Sequence, residues 1–342
     1  MEFPGPMGRA LALAVGLGAA LLWSALAAAA AETIYVADED SDTVSVIDAG
    51  RLERVAVVPV GKSPHDVQVS PDGRIAWVTG EWNRRREARL AQRTPSESGG
   101  EVWAIDTTTH RAVGRVAVGR HPAHIALTPD GRFAWVANRG DNTVSVIDTS
   151  ARREVATVAV GTYPYGIRVR PGGREVYVAN LSGGTVSVVD VERRAEVAQI
   201  PAGKEPADVA FTHDGRLALV VLREEGRVAI IDADKRKVVG RVDVGPVPIK
   251  VVTDLGSALV TNHGTRDTPR GRVTVVDLAT LTVSGTVDVG LGAHGIALGD
   301  DGRFAYVTNA HAGSLSVIDL TKRTVIASVP TGRGPNGVAV RR

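Results

Sequence analysis

The chain has 342 residues, no cysteine and few aromatic residues, which make up 4% of the total. Without cysteine the protein has no disulfide, no thiolate metal site and no site for covalent haem attachment. Any metal would have to be held by histidine, carboxylate or backbone oxygen atoms. The net charge of +2 is too small to indicate nucleic acid as a partner.

Long apolar runs are absent after the N-terminus. Arg9 precedes an uncharged run that ends in small residues before Glu32. This pattern is typical of a secretory signal, so we predict a signal peptide over residues 1–31, cleaved near Ala29 to Ala31, and a mature domain over residues 32–342 in the periplasm or on the cell surface. The alternative is a retained N-terminal anchor, which would be the only contact with a membrane.

The rest of the chain repeats a phrase whose strand TVSVID ends in aspartate. The seven copies end at Asp48, Asp106, Asp148, Asp190, Asp232, Asp277 and Asp319. Five of the six spacings are 42 or 45 residues, and the first is 58. A period near 42 with several short strands in each copy is typical of a propeller, in which each repeat forms one blade.

Each copy contains four strands, A to D. Strand A leads to a turn such as Asp130-Gly131, from which we expect a two-residue hairpin with positive φ angles, and Leu255-Gly256 replaces that dipeptide in the fifth copy. The chain after residue 31 begins with a B strand and ends with an A strand. We therefore predict an all-β, seven-bladed β-propeller of four-stranded antiparallel blades, whose ring closes when the C-terminal A strand pairs with the N-terminal B, C and D strands.

One large apolar residue recurs in strand B and is predicted to pack between neighbouring blades. These residues are Tyr35, Trp77, Trp135, Tyr177, Leu219, Leu259 and Tyr306. The asparagine that ends many B strands and the aspartate that ends each C strand are predicted to bond their own backbone in turns.

The motifs FAWVAN, EVYVAN, FAYVTN and TVSVID resemble the YVTN-type β-propeller repeat family over nearly all of residues 32 to 342. The pattern is specific for fold and says little about function. The family is also distantly similar to the haem d1 propeller domain of cytochrome cd1 nitrite reductase. That resemblance implies a mouth lined with histidines and basic groups for haem carboxylates.

Strand direction places the D–A and B–C loops on one face of the ring, called here the mouth face, and the A–B and C–D turns on the other, the turn face. Most of the variation between copies falls at the starts of the A strands, which surround the central channel. Variable positions in an otherwise regular ring indicate function. The candidate binding residues are His65, Asp66, His121, His124, Tyr163, Tyr165, Asp208, Lys250, His294 and Asn336.

Two long B–C loops on the mouth face are rich in arginine. The first is an insertion over residues 81–100 with Arg84, Arg85 and Arg86, and the second contains Arg266. Arginine pairs well with carboxylates and phosphates, so these loops are either a clamp over an anionic ligand or partner, or solvated surface segments.

Three functions remain open. The favoured hypothesis is a non-enzymatic, monomeric propeller that binds an envelope or periplasmic protein or an anionic small molecule, because the sequence has none of the common catalytic motifs. The second is a metal or haem d1 (tetrapyrrole) site, either a cofactor carrier or a reductase-associated domain, with ligands drawn from His65, His124, His263, His294 and His311. The third is a lactonase-like hydrolase, for which Asp66 and Asp208 are too few to hold calcium.

Overall fold

A computed structural model describes residues 32–80, 99–265, 267 and 270–341. Within these ranges the chain forms 28 strands in seven antiparallel sheets of four strands each, which confirms the predicted seven-bladed propeller. No helix long and apolar enough to span a membrane occurs among the described residues. The predicted signal peptide, residues 1–31, lies outside them.

The strands follow one another with short connections. In chain order they are β1 Thr33–Asp38, β2 Thr43–Asp48, β3 Glu53–Pro59, β4 Pro64–Val69, β5 Ile75–Gly80, β6 Gly100–Asp106, β7 Arg111–Val118, β8 Pro122–Leu127, β9 Phe133–Asn138, β10 Thr143–Asp148, β11 Arg153–Ala159, β12 Pro164–Val169, β13 Glu175–Asn180, β14 Thr185–Asp190, β15 Ala195–Pro201, β16 Pro206–Phe211, β17 Leu217–Leu222, β18 Arg227–Asp232, β19 Lys237–Asp243, β20 Pro248–Thr253, β21 Ser257–Asn262, β22 Arg270–Asp277, β23 Thr282–Leu291, β24 Ala293–Leu298, β25 Phe304–Asn309, β26 Ser314–Asp319, β27 Thr324–Pro330 and β28 Pro335–Arg341. Blade 1 comprises β4 to β7, and each following set of four strands forms the next blade up to blade 6.

Blade 7 closes the ring, as the sequence predicts. Its strand order is β28-β1-β2-β3, and β28 pairs antiparallel with β1 so that Ile34 faces Val340. The last A strand therefore completes the first three strands of the domain. This closure leaves no inner sheet edge unpaired where the two ends of the domain meet.

The core lies between blades. Strands B and C are buried almost throughout, whereas strand D, at the outer edge, is largely exposed. The large residue of strand B is fully buried in every blade, so the predicted packing role is confirmed. In blade 7, for example, Tyr35 belongs to the same buried cluster as Val67 and Val78 of blade 1. This packing fixes the angle between blades and hence the places of the seven A strands around the axis.

The A–B turns differ from the expected two-residue hairpin. In blade 1 the Ser70 N–H donates to the Ile75 carbonyl, which encloses four residues, and only Gly73 has a positive φ, of 70°. The Asp72 carboxylate accepts hydrogen bonds from the Ser70 hydroxyl and the Arg74 N–H, and these bonds favour the longer loop. In blade 5 the Asp254 N–H donates to the Ser257 carbonyl, so the altered fifth turn is the two-residue one.

The two polar signature residues behave differently. The aspartate ending each C strand accepts hydrogen bonds from backbone N–H groups of the next turn, as predicted; Asp148 bonds Ser150 and Ala151. The asparagine ending strand B was expected to bond its own backbone. Instead, the Asn138 amide donates to the hydroxyls of Thr143 and Ser145 on strand C. The pairing register brings these hydroxyls within reach, so the asparagine is part of the blade.

Candidate functional site

The mouth of the channel is built by threonine side chains that join neighbouring A strands. In blade 1 the Asp66 N–H donates to Thr79 Oγ1 at 3.0 Å, and that hydroxyl donates to the Ala123 carbonyl of blade 2 at 2.6 Å. Thr261 and Thr308 make equivalent bonds in blades 5 and 6. Because each hydroxyl bonds two adjacent blades, it fixes the height of the first residues of strand A, which carry the variable side chains.

A cluster of polar side chains crosses the channel just inside the mouth. This cluster, called here the plug, consists of His65, Asp66, His124, Tyr165, Asp208 and Lys250. Lys250 Nζ lies 2.6 Å from Asp66 Oδ1, which joins blade 5 to blade 1. His124 Nδ1 lies 3.3 Å from Asp208 Oδ1 and joins blade 2 to blade 4. All four of these side chains are at most 4% exposed, so the Lys250–Asp66 ion pair and the Asp208 carboxylate are withdrawn from water.

Glycine leaves room for the two carboxylates. A Cβ atom at Gly166 would lie 2.5 Å from the Asp208 Cα and 3.0 Å from Asp208 Oδ1. A Cβ atom at Gly337 would lie 2.8 Å from Asp66 Oδ1. The preceding blade must therefore carry glycine wherever the next blade carries one of these acids.

The plug carboxylates are held in the charged form. Burial alone would raise the pKa of Asp66, but Lys250 and His124 outweigh it and hold that pKa below its usual value. Burial also opposes ionisation of Asp208, whose pKa is lowered by His124 and Lys250. The Ile125 N–H completes the environment of Asp66, and the Val251 N–H that of Asp208. Each acid is therefore engaged by groups of the protein itself.

Imidazole rings form a row from the surface into the plug. The exposed ring of His311 lies 4.7 Å from that of His263, which lies 6.1 Å from that of His294. The row continues over 6.3 Å from His294 to His65 and over 5.5 Å from His65 to His124, all between ring centroids. The row thus joins all five histidines that the sequence proposed as ligands.

Two rings in the inner part of the row, those of His65 and His294, are held neutral near pH 7. Burial, assisted by His124 and Arg139, lowers the pKa of His65 well below its ordinary value. Burial, with His263 and Lys250, does the same for His294. His65 Nε2 lies 2.9 Å from the Tyr165 hydroxyl, and burial raises the pKa of that tyrosine. Neutral imidazoles are hydrogen-bonding groups and metal ligands rather than fixed charges.

Cations and aromatic rings surround the row at the rim. The Arg139 guanidinium lies 5.4 Å from the ring centroid of Tyr163 and 5.7 Å from that of Tyr165. Arg223 lowers the pKa of His263, although less than burial and His311 do. Asn336 turns away from the plug, and its amide donates to Glu39 Oε2 at 2.9 Å. The rim therefore combines positive charge with flat apolar faces.

Two further predicted residues shape the rim backbone. His121 and Tyr163 each precede the proline that starts an A strand, and they adopt φ angles of 52° and 58°. Residues before proline and non-glycine residues both disfavour this left-handed region, so the conformation is strained. These side chains lie beside the plug rather than in it.

The metal hypothesis receives no support from the geometry of the described residues. Within these ranges no three histidine, aspartate or glutamate side chains are arranged to hold a metal ion. His65, His124 and His294 were expected to converge if they were joint ligands. Their ring centroids stay 5.5 and 6.3 Å apart because Tyr165, the Lys250–Asp66 ion pair and the His124–Asp208 contact occupy the centre.

Some contributors were missed from the sequence, and some predicted ones cannot be placed. The threonines at the mouth were missed, although the alternation of threonine and alanine before the signature asparagine was visible. Arg139 was missed because it looks like an ordinary loop residue. The predicted clamp residues Arg84, Arg85, Arg86 and Arg266 lie outside the described residues.

Two family models match different parts of the chain. The model "Lactonase, 7-bladed beta-propeller" matches residues 26–196, which is half of the chain. The model "Cytochrome D1 heme domain" matches residues 212–339, a range that contains His263, His294 and His311. The second match confirms the predicted distant similarity to a haem d1 propeller domain.

Comparison with individual proteins supports the fold. Antigen Lp49 of Leptospira interrogans is 27% identical over 114 residues, which cover 33% of this chain and only 24% of that protein. Hydrazine synthase of Kuenenia stuttgartiensis is 24% identical, with a TM-score of 0.68 over 81% of this chain and 89% of the other. Dihydro-heme d1 dehydrogenase NirN, solved in complex with DHE, is 17% identical, with a TM-score of 0.64 over 90% of this chain and 74% of the other.

Proposed function

The chain belongs to the seven-bladed lactonase β-propeller family, and we propose that it is a non-enzymatic binding propeller that takes an anionic small molecule on its mouth face. The observation that carries this proposal is the imidazole row, which runs from exposed His311 to the buried plug beneath positively charged side chains. Neutral imidazoles with arginines beside them offer hydrogen bonds and positive potential together.

The state of the plug favours binding over hydrolysis. A propeller hydrolase needs carboxylates that can bind calcium or activate water. Asp66 is paired with Lys250, and Asp208 lies against His124, so neither acid is directed at a substrate. The plug also separates the mouth from the lower part of the channel. A ligand would therefore rest on the plug, in contact with the rim.

A tetrapyrrole of the haem d1 type is the second candidate for this ligand. The haem d1 model matches the half of the propeller that carries His263, His294 and His311. His294 Nδ1 is buried and has no hydrogen-bond partner among the described residues, so this nitrogen is not committed to another group of the protein and is of the type that coordinates iron. His263 or His294 would ligate the iron, and Arg139 would pair with a carboxylate, whereas Arg223 already pairs with Glu205 at 3.4 Å. Such a group would supply redox chemistry at its iron.

Titration with two porphyrins tests both candidates. We expect protoporphyrin IX, which has carboxylates but no metal, to bind the full chain and to bind about tenfold more weakly to Arg139→Gln, the loss of one charge-assisted contact. If an imidazole ligates iron, haemin will bind more tightly than the metal-free compound, and its absorbance band will shift. His263→Ala would remove the shift, whereas His213→Ala, on the turn face, would not.

Two outcomes would reject these ideas separately. If neither porphyrin binds, the anionic-ligand proposal fails for carboxylate macrocycles. If both bind equally and His263→Ala and His294→Ala leave the spectrum unchanged, the anion site stands and the iron ligand does not. Fluorescence quenching reports the first result and visible absorbance the second.

Export and a protein partner complete the proposal. The apolar segment before Glu32 supports secretion, and an envelope protein would meet the same mouth face. N-terminal sequencing of protein recovered from a bacterial periplasm is expected to begin near Glu32. An intact N-terminus at Met1 would indicate that the segment is retained.

A further inference from the structure

A cavity lies in the channel on the far side of the plug and opens at the turn face. Its volume is about 610 Å³, and Lys250 of the plug forms its inner end. The A–B turn of blade 1, including Pro71 and Gly73, lies at its outer end. Cavities of this size hold small molecules. The imidazole row on the mouth face contributes no residue to this cavity, called here the lower chamber.

Most of the residues that line the lower chamber are apolar. The polar ones are Ser70 and Asp72 at the outer end, Gln68, Arg168 and Thr253 in the wall, and Lys250 at the inner end. The fifth residue of six A strands contributes to one ring of the wall. These residues are Gln68, Arg168, Ala210, Val252, Ala297 and Ala339. The next ring contributes Phe211, Leu298 and Val340. Arg168 is therefore the charged member of a ring that is otherwise neutral and small.

Arg168 lacks a carboxylate partner inside the described part of the chain. Its Nε donates to the Val209 carbonyl at 3.3 Å, and this is the sole hydrogen bond of its guanidinium there. No hydrogen bond of its two terminal nitrogens occurs among these residues, although Arg168 is near enough to help lower the pKa of Asp208. Arg168 is half-buried and lines the chamber, so its guanidinium is placed to pair with an anion there. Lys250 cannot be that site, because Asp66 already engages it.

We propose that the lower chamber binds an amphiphilic carboxylate, with its carboxylate on the Arg168 guanidinium and its hydrocarbon chain against Phe211, Leu298 and Val340. Arginine binds a carboxylate through two parallel hydrogen bonds. The apolar rings bury the chain and exclude water from the ion pair. The site is independent of the ligand proposed for the mouth face.

Calorimetric titration with decanoate below its micelle concentration tests this site. Wild-type protein is expected to bind decanoate and to bind decanol at least tenfold more weakly, because decanol lacks the charge. Arg168→Gln reproduces the residue that blade 1 has at this position. It is expected to weaken the binding of decanoate at least tenfold and to leave the binding of decanol unchanged. Equal binding of decanoate by wild type and Arg168→Gln would overturn the proposal.

Two further variants separate this site from other effects. Val340→Phe places in blade 7 the side chain that blade 4 carries at Phe211, and the larger ring narrows the chamber. We expect it to weaken decanoate and decanol together. His263→Ala, on the mouth face, is expected to leave decanoate binding unchanged. If Val340→Phe has no effect on either compound, the ligand lies elsewhere.

Discussion

Replacing Lys250 by methionine is expected to lower the free energy of unfolding by about 3–5 kcal/mol, the range for removing one partner of a buried ion pair. Lys250 and Asp66 are 4% and 2% exposed, and their atoms lie 2.6 Å apart. Without the ammonium group, the Asp66 carboxylate keeps one hydrogen bond among the described residues, from the Ile125 N–H at 3.3 Å, and the weaker influence of His124. Guanidinium denaturation at pH 7 measures the loss.

The double variant Asp66→Asn with Lys250→Met is the matched control. It removes both charges, so most of the lost stability is expected to return, since a neutral pair carries little desolvation cost. A loss below about 1 kcal/mol in Lys250→Met alone would contradict a buried, uncompensated charge. So would a double variant that is less stable than the single one.

The contribution of Asp66 to the free energy of unfolding should change with pH in opposite directions in the wild type and in Lys250→Met. In the wild type Lys250 helps to depress the pKa of Asp66. This pair therefore stabilises the fold above the unfolded-state pKa of aspartate and is lost as pH falls through the lower folded-state pKa. In Lys250→Met the lysine no longer opposes the rise in the Asp66 pKa that burial causes. Protonation of Asp66 at low pH should therefore reduce the loss of stability relative to the wild type. Unfolding curves at several pH values between about 3 and 7, which include the usual pKa range of aspartate, test this difference.

Replacing Asp38 by asparagine is expected to stabilise the protein by about 1–3 kcal/mol at pH 7, from a shift of about two pKa units. Asp38 ends strand B of blade 7, where blades 2, 3 and 6 have Asn138, Asn180 and Asn309. Burial raises the pKa of Asp38 to about 6, although hydroxyl and N–H donors lower it partly. A buried carboxylate thus stands where four other blades use a neutral amide, while blades 1 and 4 have Gly80 and Leu222.

The gain should disappear in acid. Because its folded-state pKa is raised, Asp38 takes up a proton on folding between about pH 4 and 6. The wild type therefore loses stability as pH rises through this window, whereas Asp38→Asn does not. The denaturant midpoints of the wild type and Asp38→Asn should agree at pH 4 and differ at pH 7.

The converse change in another blade provides the control. Asn138→Asp places a carboxylate against the same hydroxyl pair, Thr143 and Ser145. It is expected to destabilise the protein at pH 7 and to have little effect at pH 4. An equal loss of stability at both pH values would show that the cost of Asn138→Asp comes from the lost amide hydrogen bonds and not from the charge of the carboxylate.

The repeated phrase was enough to predict the architecture. The period near 42 residues predicted seven blades. Their closure followed from a domain that starts with a B strand and ends with an A strand. The alternating strand direction placed the variable residues on one face. The exact turn could not be read this way. Asp72 and Gly73 were compatible with a two-residue hairpin, and only the hydrogen bonds of Ser70 show the longer loop.

The partners within the site were decided by the tertiary structure. Lys250 and Asp66 are separated by 184 positions in sequence, yet they meet across the axis because blades 5 and 1 face one another at the same depth. The sequence showed that both residues lie at the mouth, but repeat order alone does not give the reach of a side chain or its rotamer. The same limit applied to the histidines, which form a row instead of a convergent ligand set.

The sequence by itself determined the ring, the two faces and the set of positions at which the copies differ, because strand period and chain direction are local properties. The tertiary structure alone decided which of those positions contact one another in the plug, which form the imidazole row, and that Arg168 lines the lower chamber. These outcomes depend on distances across the channel between residues of different blades, and no local pattern encodes such distances.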